Sequence, residues 1–318
     1  MIFLNEILRI IYLSQIVIGV LGNSLLIFQY SSKFNSSRKT RSRILILIHF
    51  LFTNTLLFLF RGIPQTIEVW GLKYSVDFMG KRFLTYVQRV TRSLSLCSSF
   101  NLVLFQAITI SPNSLIKAEL KARLLKGIFP FCLVCWVLNL LIDAVLLVYV
   151  IGFRNITHSK EEDNIGFSAL DLDAKKTKMF LIWKFIHDGF YMGLVAITSG
   201  YIAFFLYRHH QRLQHLHITT QSRRASPEIH AATAIMLLGS TFVSFNLLSS
   251  IIIMYIIFSK VSSPVLLHFS LSISLCFQTI SPFILLNSDS QILRCLCAYW
   301  EMKIPSSIHI KNVNQKPT

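Results

Sequence analysis

Seven stretches of this 318-residue chain, at about 10–30, 44–64, 83–110, 128–150, 179–207, 231–258 and 264–287, are apolar over 21 to 29 residues each, with polar breaks between them. A helix needs about 20 mostly apolar residues to cross the roughly 30 Å hydrocarbon core of a bilayer. Backbone N–H and C=O groups meet no water there, so segments of this length must be helices that satisfy their own hydrogen bonds. The pattern predicts an all-α membrane protein built as a seven-transmembrane helix bundle. A short segment 1–9 precedes the transmembrane domain over 10–287, and a tail over 288–318 follows it. Composition points the same way: charged residues are 14% of the chain and mean hydropathy is +0.57, against about 25% charged residues in a soluble domain. A soluble globule and a disordered chain are both excluded. The first run is too long for the apolar part of a cleaved leader and shows no small-residue cleavage site, so it reads as the first span.

Prolines mark the expected ends. Pro64 is expected to close the second span, Ser111-Pro112 to follow the third, and Pro264 to open the seventh, where a missing N–H costs least. Pro282 falls inside the seventh span and is expected to bend it.

The net charge of +17 would suggest a nucleic-acid partner in a soluble protein. In a membrane protein it is first a question of sides. With the N-terminus outside, the inner segments 31–43, 111–127, 208–230 and 288–318 carry 17 bases and 4 acids, net +13, whereas the outer segments are net +2. Cytoplasmic loops carry an excess of Lys and Arg, so this distribution predicts an outside N-terminus, an inside C-terminus and no nucleic-acid partner. Asn155-Ile156-Thr157, in the long 151–178 loop, is then an outer glycosylation sequon, and Asn35-Ser36-Ser37, in a basic inner loop, stays bare.

Enzyme chemistry finds little to work with. Five histidines lie within 208–230, but beside Arg208, Arg212, Arg223 and Arg224 they read as a basic loop. His215 and His217 are too close for a standard zinc pair, and no cysteine is near. Cys132 and Cys135 form C-x-x-C inside the fourth span, where two small apolar helix residues are the simpler reading. With no phosphate-binding glycine loop or nucleophile elbow, the chain is not expected to be an enzyme or to hold a cofactor or metal. A transporter would show matching broken helices in two halves, which seven spans do not provide.

Charges inside the spans are the residues to examine, because they are costly in lipid and mark functional sites by default. Arg61 lies three residues from the expected end of span two; Arg89 and Arg92 lie in span three, Asp143 in span four, and Lys184 and Asp188 in span five. In the plain structural reading, Lys184 pairs with Asp188 at i,i+4, and Arg61 and Arg89 snorkel to the interface. In the functional reading, Arg89, Arg92, Asp143, Lys184 and Asp188 line a ligand cavity open to the outside among apolar walls, where the bases favour an acidic ligand. Cys295 and Cys297, next to Arg294 after the last span, are juxtamembrane candidates for palmitoylation.

Specific strings add to this. Arg61-Gly62-Ile63-Pro64-Gln65-Thr66, Arg89-Val90-Thr91-Arg92-Ser93-Leu94-Ser95-Leu96-Cys97, Phe105-Gln106-Ala107-Ile108-Thr109-Ile110-Ser111-Pro112, Arg224-Ala225-Ser226-Pro227-Glu228 and Ile280-Ser281-Pro282-Phe283 resemble segments of vomeronasal type-1 receptors, and the resemblance runs over about 10–300. It implies a G-protein-coupled receptor of the plasma membrane that takes pheromone-like small molecules and acts through an inhibitory-class heterotrimeric G protein. The bases that would face that G protein, and anionic lipid beside it, are Lys117, Lys121, Arg123, Arg208, Arg212, Arg223 and Arg224. Bitter-taste receptors are the nearest alternative family, and a small-solute transporter the alternative of another class.

The chain also departs from the pattern. Thr109-Ile110-Ser111 stands where many seven-helix receptors carry an acidic-Arg-aromatic triplet, and Ser281-Pro282 stands in place of Asn-Pro. Members of the family usually bridge a cysteine before span three to one in the second outer loop. Here those places read Gly80-Lys81-Arg82 and Gly166-Phe167-Ser168, so no such bridge is expected.

Overall fold

The structure, a computed structural model, describes residues 2–34, 38–71, 78–111, 118–152, 174–215, 227–259 and 264–288. Among them lie helices α1 (Ile2–Ser32), α2 (Arg38–Leu57), a π-helical turn (Phe58–Gly62), α3 (Ile63–Val69), α4 (Phe78–Ile110), α5 (Ala118–Gly152), α6 (Ala174–His215), α7 (Pro227–Ser259) and α8 (Pro264–Ser288). The π turn joins α2 and α3 into one rod, so the described residues form seven rods. Six of these are long and apolar enough to cross a membrane, and the fourth contributes the shorter apolar stretch Pro130–Ala144.

The helix containing Pro64 does not stop there. Proline has no N–H and its ring collides with the carbonyl four residues back. The chain absorbs both problems by widening one turn, in which the Ile63 N–H donates to the Phe58 carbonyl and Pro64 enters at the start of the resumed helix. The rod ends at Gly71, whose φ of 71° is left-handed. Its N–H donates to the Glu68 carbonyl at 2.9 Å, and that of Trp70 to Thr66 at 3.0 Å. A side chain would have room at Gly71, so backbone conformation is what favours glycine there. Arg9 of α1 donates to the Val69 carbonyl at 3.2 Å and lies over the Trp70 ring, a cation where the helix dipole is negative.

Helix α4 is the hub. It packs against α2, α5, α6 and α7, while α1 closes the ring by packing on both α2 and α8. From Val90 to Ser99 every residue of α4 is buried. That run is rich in serine, so the bundle must supply partners. Ser95 donates to Asn54 Oδ1 at 2.9 Å, the Ser98 and Thr53 hydroxyls meet at 2.7 Å, and Gln278 donates to Ser95 at 3.4 Å. On the far side, α7 and α8 are stitched by Ser249 and Ser270, each hydroxyl donating to the other's carbonyl at 2.9 Å.

Pro282 lies inside α8 and removes the N–H that would bond the Gln278 carbonyl. Two side chains take its place: the Asn23 amide of α1 at 3.3 Å and the Ser281 hydroxyl at 3.2 Å. Gly22 makes this approach possible, because a Cβ there would sit 3.3 Å from the Pro282 ring. Close contact also defines the π turn, where the Phe58 ring lies over Gly19 and leaves no space for a methyl group.

Replacing Asn23 by Leu should therefore destabilise the bundle by about 1–3 kcal/mol, the usual cost of leaving a buried polar group short of a partner. Adding Pro282→Ala restores an N–H for the Gln278 carbonyl and should recover part of that loss. Thermal unfolding of the purified single and double variants measures the coupling.

Candidate ligand site

The charges singled out in the sequence gather around α4. Arg92 donates through Nε and Nη2 to Asp188 Oδ2 of α6, at 3.0 and 2.9 Å. Both side chains are buried, at 8% and 9% exposure. Asp188, read from the sequence as the partner of Lys184 on its own helix, thus receives a guanidinium from across the bundle; the Lys184 side chain lies outside the described residues. His187 Nδ1 approaches the other oxygen of Asp188 at 3.5 Å, and its ring meets Tyr191 edge-on.

One turn away on α4, Arg89 is within electrostatic reach of Asp143 on α5. Asp143 is buried and accepts from the Ser93 hydroxyl at 3.2 Å. Helix α4 thus presents two guanidiniums at i,i+3 to acids on two different helices, one towards α5 and one towards α6.

Arg61 is placed differently from the sequence reading. It does not snorkel: it is 6% exposed, on the same face of its rod as Phe58 and Gln65. A span ending at Pro64 would put it near an interface, but the rod runs on to Val69, eight residues further, or about 12 Å at about 1.5 Å per residue. Arg61 lies within electrostatic reach of Arg92, Asp188 and Tyr12. The Tyr12 hydroxyl donates to the His268 carbonyl at 2.8 Å, which ties α1 and α8 to the same region. Sequence reasoning gives Arg61 no binding role. The signal lies in the i, i+4, i+8 spacing of Leu57, Arg61 and Gln65, which a helix stop at Pro64 hides.

At the opposite end of α4, Ser111 accepts from the Tyr201 hydroxyl of α6 at 3.1 Å. Of the bases expected near a G protein, Arg123 is exposed and pairs with Glu119 at 2.7 Å, and Arg208 is exposed. Lys117, Arg223 and Arg224 lie outside the described residues, as do Asn155, Cys295 and Cys297; Lys121 and Arg212 are helical but their side chains are not described. The four described cysteines, Cys97, Cys132, Cys135 and Cys276, are free thiols. No cluster of metal-ligating side chains is present among the described residues.

A seven-rod bundle with a buried cross-helix ion pair suits a receptor, and comparison with known proteins decides the family. The sequence model of the vomeronasal organ pheromone receptor family matches residues 6–298. This chain belongs to that family. Among its relatives, human vomeronasal type-1 receptor 3 is 36% identical over 288 residues, covering 89% of this chain and 91% of the relative. Human vomeronasal type-1 receptor 4 is 32% identical, covering 91% and 96%. Olfactory receptor class A-like protein 1 of Danio rerio is 26% identical, covering 92% of each chain. In fold, the chain is similar to squid rhodopsin, with a TM-score of 0.67 over 94% of this chain and 85% of that one, at 14% identity. The vomeronasal-family chain is thus a multi-pass membrane protein with a G-protein-coupled receptor fold, and its relatives are receptors rather than enzymes.

In this receptor, replacing either member of the buried pair alone, Arg92→Met or Asp188→Leu, should cost about 3–5 kcal/mol by stranding the other charge. The double variant should be closer to wild type than either single one, as read from the thermal unfolding of purified receptor in one detergent.

Proposed function

We propose that the chain is a chemosensory G-protein-coupled receptor whose N-terminus is outside, whose ligand binds in the outer half of the bundle, and whose inner loops engage an inhibitory-class G protein. The carrying observation is the buried Arg92–Asp188 pair, which joins α4 to α6 in a family of receptors. Arg89, Arg92, Asp143, Lys184 and Asp188 form the polar part of the ligand site, and the ligand is a pheromone-like small molecule. Its binding shifts the population between two arrangements of α4 and α6, by no more than its differential affinity for them.

The inner ends of the same two helices, joined through Tyr201 and Ser111, lead into loops 111–127 and 208–230. Lys117, Lys121, Arg123, Arg208, Arg212, Arg223 and Arg224 there form a basic surface suited to an acidic partner and to anionic lipid. Palmitoyl groups on Cys295 and Cys297 would hold the tail against that surface.

Cells expressing the chain and given an agonist should show a fall in forskolin-raised cAMP that pertussis toxin abolishes. Uptake of the agonist without a cAMP response would mark a transporter and overturn the reading. Orientation has its own test. Glycosidase should sharpen the mobility of the expressed protein, Asn155→Gln should reproduce that shift, and Asn35→Gln should not. A glycan on Asn35 would invert the topology.

A further inference from the structure

Arg61 is buried in the π turn of the second rod. Among the described residues it makes no hydrogen bond or ion pair, although a buried cation ordinarily has a partner. The carboxylate within its electrostatic reach, Asp188, already accepts two hydrogen bonds from Arg92. Two guanidiniums therefore share one buried acid, while Glu68, within electrostatic reach of Tyr12 and His268, is exposed, so the buried charge here is positive in excess. Arg61 also stands on the same face of its rod as Gln65, one turn on and buried, whose Oε1 has no partner. On α8, His268 has a buried Nδ1 without a partner, and its carbonyl is the one that Tyr12 holds. A surplus cation and two unsatisfied buried polar atoms thus lie on the rods around Tyr12, where the first, second and seventh spans meet.

We propose that Arg61 anchors a monoanionic ligand, a carboxylate, sulfate or phosphate monoester carried on an apolar body, with Gln65 and His268 hydrogen-bonding to the same molecule. This rests on the reading of the bundle as a ligand-activated receptor. The anion supplies the charge that Asp188 cannot, since Arg92 occupies that carboxylate. A guanidinium forks onto such oxygens through two parallel hydrogen bonds. Arg92 then borders the ligand while bound to Asp188, and Arg61 is the cation that takes the anion, a role the sequence alone does not give it. The π turn holds Arg61 towards the core on the same face as Phe58, and π turns recur at functional sites.

The test uses the full chain in nanodiscs and in cells, with apolar acids such as 1-adamantanecarboxylate and its sulfate and phosphate counterparts, each beside its neutral ester or alcohol, and with inorganic sulfate as the bare head. The empty receptor comes first. Arg61→Gln removes an uncompensated buried charge and should raise the unfolding temperature; a fall would make Arg61 structural and overturn the proposal. At least one acid should raise the unfolding temperature of the wild type and not of Arg61→Gln, and Arg61→Lys should recover part of the shift. An agonist acid should lose about tenfold or more in potency in Arg61→Gln, the worth of a charged hydrogen bond, while its ester stays at its wild-type level. Equal shifts by acid and ester, or no shift by any acid, overturn the proposal. An acid that binds through Arg61 without altering cAMP upholds the anion site and sinks the signalling reading, and cAMP responses to neutral agonists that survive Arg61→Gln while no acid binds do the reverse.

Discussion

The carbonyl of Gln278 has lost its helical partner to Pro282 and takes the amide of Asn23 instead. In water such a group would be hydrated at little cost. In hydrocarbon it must be met by protein, and that demand fixes the distance and rotation of the first helix against the seventh. Gly22 allows the approach, and the Gln278 side chain reaches on to Ser95 of α4. Asn54 completes the connection, accepting from Ser95 and donating to Ser281. The freed carbonyl thus sits in a polar network that touches four spans. The serines and amides of the core are better understood as mutual partners than as scattered polar substitutions in a greasy chain.

Charge is handled by cross-helix pairing, with the Ser93 hydroxyl also donating to Asp143. The hub helix carries Arg89 and Arg92 on the turns before its serine run, and these two are matched to acids on neighbouring helices. Burying a pair costs desolvation that the attraction repays only when the geometry is good. Arg92 and Asp188 meet that condition through two short hydrogen bonds, so they hold α4 to α6. The pair is poor evidence of stability as such, but it orients the helices, because breaking it leaves two bare charges.

Much of this architecture is legible in the sequence. The apolar runs mark the rods because hydrocarbon leaves a chain few alternatives, and the in-span charges stand out for the same reason. What the runs do not reveal is pairing across the bundle. Asp188 reads as the partner of Lys184 because i,i+4 spacing is visible in one dimension, whereas its bond to Arg92 spans 96 residues. The second rod reads as shorter than it is because a proline inside a helical pattern signals a stop, and nothing local announces that a π turn will carry the helix past it. That single misreading moves Arg61 from the core to an interface. The orientation of the bundle rests on loop charges, which the packing of the helices does not encode.

The two kinds of polar contact differ in how readily they rearrange. The Arg92–Asp188 bonds are short and charged, and the Asn54–Ser281 and Gln278–Ser95 contacts, at 3.3 and 3.4 Å, are long and neutral, at the weak end of hydrogen-bond geometry. Ser95 is one turn along α4 from Arg92, on the way to Ser111 at the other end of the helix. A ligand that alters the balance of charge around Arg92 therefore acts on a helix whose next turn carries neutral contacts, a short one to Asn54 and a long one to Gln278. Those contacts lead to α8 and α2, while the helix itself leads to the Tyr201 hydroxyl. A bistable element needs alternatives of similar free energy, and a set of interchangeable hydroxyls and amides provides them where an apolar core or a second ion pair would not.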